Sequence, residues 1–195
     1  MVVLQILSDL HLEEGEPKGY DIFDITPQAP YLALLGDIGC VALDSDEYFG
    51  FLRRQLSQFK TVFLVLGNHE PYHSDWADTK SLVGDFQQTV DLEKQNDKHL
   101  GTLVLLDKTR FDIDDGDNKV TVLGCTLFSH ITPASRKRVG LGLNDFNVID
   151  DWGIDEHNAS HQEDMEWLAL QLRLHEGSVR PETDEQMTPG IATAC

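Results

Sequence analysis

At 195 residues, with 41% hydrophobic and 25% charged side chains, the chain suits one domain with a buried core and lies outside the compositions of disordered and membrane-spanning chains. Its formal charge of -19 repels nucleic acid and anionic lipid at long range, yet leaves room for a small phosphorylated substrate beside bound cations. Cys40, Cys125 and Cys195 are odd in number and widely spaced, which argues against a disulfide framework or zinc ribbon and suits a reducing compartment.

The first apolar run, residues 2–8, has no basic leader and is too short for a signal-peptide core or a spanning helix, so it reads as a strand of a cytoplasmic protein. Residues 31–35 and 61–66 are similar runs that stop abruptly at polar or glycine residues, as strands buried on both faces of a parallel sheet do. Between these two, Phe49, Leu52, Leu56 and Phe59 recur at helical spacing over 45–59, and Asp44 with Glu47 suggests a capping box. The three segments make a βαβ unit.

A second helix is expected over 76–94, with Leu82, Val83, Phe86 and Val90 on one side, followed by a strand at 103–106. Residues 111–114 and 119–128 flank a polar turn and read as an antiparallel hairpin, which makes a second sheet possible. Residues 131–152 lack periodicity and are expected to form a lid. Over 156–174, His161, Met165, Leu168 and Leu172 describe a last helix that Gly177 suits as a stop, and 178–195 reads as a disordered tail. The expectation is one α/β domain over 1–177, a two-sheet sandwich flanked by helices.

Three strand ends carry chemistry: Asp9-Leu10-His11, Gly36-Asp37 and Gly67-Asn68-His69-Glu70. The carboxyl ends of parallel strands open onto one crevice, so these points converge. In an extended chain Asp9 and His11 face one side while Leu10 turns to the core. Asp37 follows a glycine that permits close approach, and its two oxygens can bridge two cations. Asn68 offers a neutral amide oxygen. This nitrogen and oxygen set suits manganese, iron, zinc or magnesium rather than a soft thiolate site. Were Asp9, Asp37 and Asn68 only loop starts or helix caps, His11 and His69 would be left unexplained.

In their order, each after an apolar strand, these motifs resemble those of the calcineurin-like metallophosphoesterase superfamily over roughly residues 1–174. The resemblance implies a hydrolase with two divalent metal ions, in which Asp9 and His11 bind one metal, Asp37 bridges, Asn68 binds the other and His69 is catalytic at the phosphate. It also implies that a hydroxide bridging the metals attacks a phosphomonoester or phosphodiester in line. The family's later histidine motifs, a Gly-His-x-His among them, do not appear, which reads as a C-terminally truncated or degenerate member with an incomplete fold. The alternative is an impaired domain of the same fold kept as an interaction scaffold.

Other candidates carry simpler readings. His130, after the strand ending at 128, is either packed under the lid or in the cleft touching substrate or metal. His157 and His161, four apart, are helix surface or packing residues before they are chelators. His73, His99 and His175 read as solvated, Trp152 and Trp167 as core, and Cys40 as a small buried residue. Arg136, Lys137 and Arg138 read first as a solvated basic loop and second as a phosphate contact.

Overall fold

The computed structural model describes residues 1–116, 118–178 and 190–194. Strands β1 (Leu4–Leu7), β2 (Tyr31–Leu35), β3 (Thr61–Val65) and β4 (Thr102–Leu105) form a parallel sheet in that order. Strand β3 is buried along its whole length and β2 nearly so, as their unbroken apolar sequences require. Strand β1 differs from expectation: it lies at the sheet's edge, and Ile6 is 59% exposed.

Side-chain alternation divides these strands between two cores. Leu32, Leu34, Val62 and Leu64 pack with helices α1 (Ser45–Leu56) and α2 (Trp76–Lys94). Tyr31, Ala33, Phe63 and Val65 face the other way and meet Phe111, Ile113 and Val122 of a second sheet. That sheet consists of β5 (Thr109–Asp114) antiparallel to β6 (Lys119–Gly124), with β7 (Gly190–Ala194) parallel on the far side of β6. Phe63 is fully buried between the sheets with its ring 5.3 Å from that of Phe111. Truncating it to alanine should cost about 3–5 kcal/mol.

Strand β7 departs from the tail expected over 178–195; residues 179–189 and Cys195 lie outside the described residues. The expected hairpin is present, but its second strand ends at Gly124 rather than running to 128. Helix α1 starts after Asp44, whose side chain pairs with Lys18 instead of closing a capping box. Helix α2 is capped by Asp75, which accepts from Asp78 N at 2.8 Å. Its buried stripe is Thr79, Val83, Phe86 and Val90, and Leu82 is exposed.

Residues 131–152 contain two short helices, α3 (Arg136–Gly142) and α4 (Asp145–Val148). They are tied down at both ends. Asn158 of α5 (Ile154–Ser178) brackets Ile131 with two backbone bonds of 2.8 and 3.0 Å. His73 N donates to Val148 O, and Asp150 N to Ser74 O, at 2.8 Å each. Among the described side chains of α5, His157 and Asp164 are buried, while Met165 and Leu172, on the stripe that defined the helix in the sequence, face outward. Among the described residues, no helix is long and apolar enough to cross a membrane.

Candidate metal centre

The loops leaving β1, β2 and β3 meet at one end of the parallel sheet, as the motif order predicts. The backbone knits them: Asp9 N donates to Gly36 O at 3.1 Å, His11 N to Asp37 O at 3.0 Å, and Leu12 N to Ile38 O at 2.9 Å. Carboxylate or imidazole ligand atoms of Asp9, His11 and Asp37 lie within 4.8 Å of one another. These three residues have φ of 54°, 47° and 53°, the left-handed region. For a residue with a Cβ that conformation costs roughly 1–2 kcal/mol, and such strain gathers at functional sites. It also corrects the extended-chain account of Asp9 and His11: β1 ends at Leu7, and the left-handed backbone beyond it brings the two side chains together. Leu10 does pack on the core as expected.

Glycine serves the crossing of two loops. A Cβ on Gly36, at φ 82°, would stand 3.0 Å from Gly67 Cα. A Cβ on Gly67 would stand 2.6 Å from Asp37 N and press on the Asp37 carboxylate. With that space open, His69 N donates to Asp37 Oδ1 at 3.0 Å and helps to orient the carboxylate.

Glu70 is the fastener beneath these loops. Fully buried, its carboxylate accepts from Gly67 N at 2.7 Å, Ile38 N at 2.9 Å and Asp37 N at 3.1 Å, and Tyr48 donates to it at 3.3 Å. Burial pushes its pKa up to about 7, against the backbone N–H bonds that favour the charged form.

Asn68 belongs to another network. Its Nδ2 donates to Asp145 Oδ1 at 2.9 Å and to the Tyr72 hydroxyl at 3.3 Å, and that hydroxyl donates to Asp145 Oδ1 at 2.7 Å. Burial first, then Asp145, pushes the Tyr72 hydroxyl up to about 12, so it keeps its proton. Both amide hydrogens are spent, and Oδ1 is the atom left for a cation.

The His69 ring stacks on Tyr72 at 4.4 Å and meets the His11 ring edge-on at 4.3 Å. Its Nδ1 stands 3.2 Å from His11 Nδ1 and 2.6 Å from Glu13 Oε1. His11, Glu13 and His69 form a second group of closely placed donors. Sequence reasoning missed Glu13 because it follows the Asp-x-His motif in what reads as an ordinary acidic loop.

The remaining candidates fall elsewhere. His130 is exposed, its ring 5.8 Å from that of His161, and neither donor group contains it. His157 and His161 pack as expected, bonded to the carbonyls of Ser129 and Phe128. Trp152 lies against Trp76 and Phe128. Arg136 pairs with Asp155 at 2.7 Å. Cys40 is buried, its thiol pushed up by desolvation and donating to Tyr72 O.

The chain is similar in fold to a solved hydrolase. This is the phosphopantetheinyl hydrolase PptH of Mycobacterium tuberculosis, matched with a TM-score of 0.58 at 18% identity over 98% of this chain. The match spans 66% of that protein's chain. No family model matches the sequence, and no curated protein matches it. At this identity the likeness is one of fold.

These findings correct the assignment to the calcineurin-like metallophosphoesterase superfamily, and with it the idea of a truncated or degenerate member. There is a physical reason that so few residues do not define a family. Gly36 and Gly67 are needed for two loops to cross, and Glu70 for binding backbone N–H groups, so part of the pattern is explained by architecture alone.

The donors present fit divalent cations. Carboxylate oxygens and imidazole nitrogens converge, three of the contributing residues hold a strained backbone, and Glu13 Oε2 is buried without a hydrogen-bond partner. The set is that of a borderline or hard first-row metal.

Proposed function

We infer that the chain hydrolyses a phosphate ester, monoester or diester, at a divalent-cation centre built on Asp9, His11, Asp37 and Asn68. The observation that carries this reading is the gathering of Asp9, His11 and Asp37 from two separate strand ends, each in a left-handed conformation. Support also comes from the fold, shared with a protein whose name places phosphate chemistry on it.

When bound, the cations would polarise the phosphoryl oxygens and lower the pKa of an attacking water. The remaining work falls to this chain. Asp37 is oriented by the His69 backbone N–H, and Asn68 presents Oδ1 because Asp145 and Tyr72 hold its amide hydrogens. His69 has Nδ1 turned to Glu13, so Nε2 is the nitrogen left to protonate the leaving oxygen. A chain of charge -19 has little reach for a polyanion, so the substrate is a small phosphorylated molecule.

The test is hydrolysis of aryl phosphomonoesters and phosphodiesters with added manganese. Turnover should require the metal and fall at least about a hundredfold in Asp37→Asn and in His69→Gln, with the fold retained by circular dichroism. Unchanged turnover in either variant refutes the reading.

A further inference from the structure

Resting on that reading of the site as a cation centre, we propose that His11, Glu13 and His69 form a cation site of their own, in which Glu13 supplies the carboxylate. The three facing atoms make a triangle. His11 Nδ1 to His69 Nδ1 is 3.2 Å, His69 Nδ1 to Glu13 Oε1 is 2.6 Å, and His11 Nδ1 to Glu13 Oε1 is 3.6 Å. Ligands about 2.1 Å from a tetrahedral or octahedral cation stand roughly 3.0 to 3.4 Å apart, so one ion contacts all three after shifts of a few tenths of an ångström.

The second observation is the unused oxygen. A bond to His69 satisfies Glu13 Oε1, but Oε2 is buried with no hydrogen-bond partner. An unpaired buried carboxylate oxygen is costly, and a cation that Glu13 holds through both of its oxygens removes that cost. A role for Glu13 as partner of His69 alone explains neither this oxygen nor the approach of His11.

The placement is built into the chain. Leu12, next to Glu13, is 3% exposed; its N–H is bonded to Ile38 O and its carbonyl accepts from Gly19 N at 2.8 Å. Glu14 N bonds back to His11 O at 3.0 Å. Glu13 is therefore held from both sides.

Two imidazoles and one carboxylate make a donor set for zinc, cobalt or iron(II) rather than for calcium or magnesium. His11 belongs to both donor groups, and its ring serves both at once only as an imidazolate, its N–H proton being released to solvent when the second cation binds. A cation on His69 Nδ1 also fixes the ring's proton on Nε2, the tautomer the proposed reaction needs.

The experiment is equilibrium dialysis of the purified chain against cobalt(II) chloride, with metal analysis and visible absorption. The wild type should bind two equivalents. Glu13→Gln and His69→Gln should each lose the same one, by at least about tenfold in affinity and with the same absorption band. Asp9→Asn should lose the other, and His11→Gln should weaken both. Circular dichroism verifies folding, and if Glu13→Gln does not fold, His69→Gln carries the same expectation. Two equivalents of unchanged affinity and spectrum in a folded Glu13→Gln or His69→Gln, with Glu13 only a hydrogen-bond partner, overturn this inference and leave the proposed function standing. A wild type that binds no cobalt overturns both.

Discussion

Asn68 and Asp145, 77 residues apart, are joined by a 2.9 Å hydrogen bond that couples a strand-end loop to the short helix α4 covering it. Asp145 is 5% exposed, so its carboxylate is a fixed acceptor rather than a mobile surface group. Truncating it in Asp145→Ala frees the Asn68 amide to rotate. Affinity for manganese should fall by about tenfold to a hundredfold, while Asp145→Asn, which keeps an acceptor oxygen, should fall less. Isothermal titration of both variants decides it; equal affinity in wild type and Asp145→Ala contradicts the role given to Asp145.

Gly67 is where two loops cross, and a methyl group there has no space beside Asp37. Gly67→Ala should destabilise the protein by about 1–3 kcal/mol through overpacking and displace the Asp37 carboxylate. Urea unfolding and metal titration should therefore both change. Gly84, where an added Cβ meets nothing within 4 Å, is the control: as a helical glycine exchanged for alanine it should gain up to about 1 kcal/mol.

Glu70 gives the metal-free protein a pH dependence of defined sign. Its folded pKa, raised by burial to about 7, lies above its unfolded value of 4.5, so the folded chain binds the proton more tightly than the unfolded chain. The contribution is complete below about pH 4.5 and is lost as pH rises through about 7, amounting to roughly 3 kcal/mol. Glu93, Asp112 and Asp114 are shifted the opposite way, downward, by their hydrogen-bond partners, so the informative quantity is the difference from Glu70→Gln. Wild-type stability should fall more steeply than that of the variant between pH 4.5 and 7.5 in denaturant titrations, and parallel curves would contradict the assignment.

The fold was most legible where one element decides its own environment. Strands β2 and β3 are continuous apolar runs, which only a doubly covered strand accommodates, and α2 was bounded by its cap and its period. Helical spacing alone did not say which face turns inward: Leu82, Met165 and Leu172 belong to the stripes that marked the helices, and all three lie outside. Strand β7 was missed because its pairing with β6 spans some seventy residues of chain and its short sequence carries no alternation.

In the site, the convergence of Asp9, His11 and Asp37 was readable because strand ends of a parallel sheet share a crevice. The local reason was not. Asp and His enter the left-handed region more readily than most side chains, but that preference is too weak to mark these three positions in advance. Glu13 and Asp145 were invisible for different reasons. Glu13 looks like any acidic residue of a charged loop, and Asp145 acts on Asn68 only through the tertiary fold.

The most direct test is a crystal of the protein grown with manganese, with diffraction data collected to reveal the metal's anomalous signal. The account predicts an anomalous peak within coordination distance of the Asp9, His11 and Asp37 side chains at the ends of β1 and β2. A map with no peak there, from protein whose loops keep the arrangement described, would contradict it.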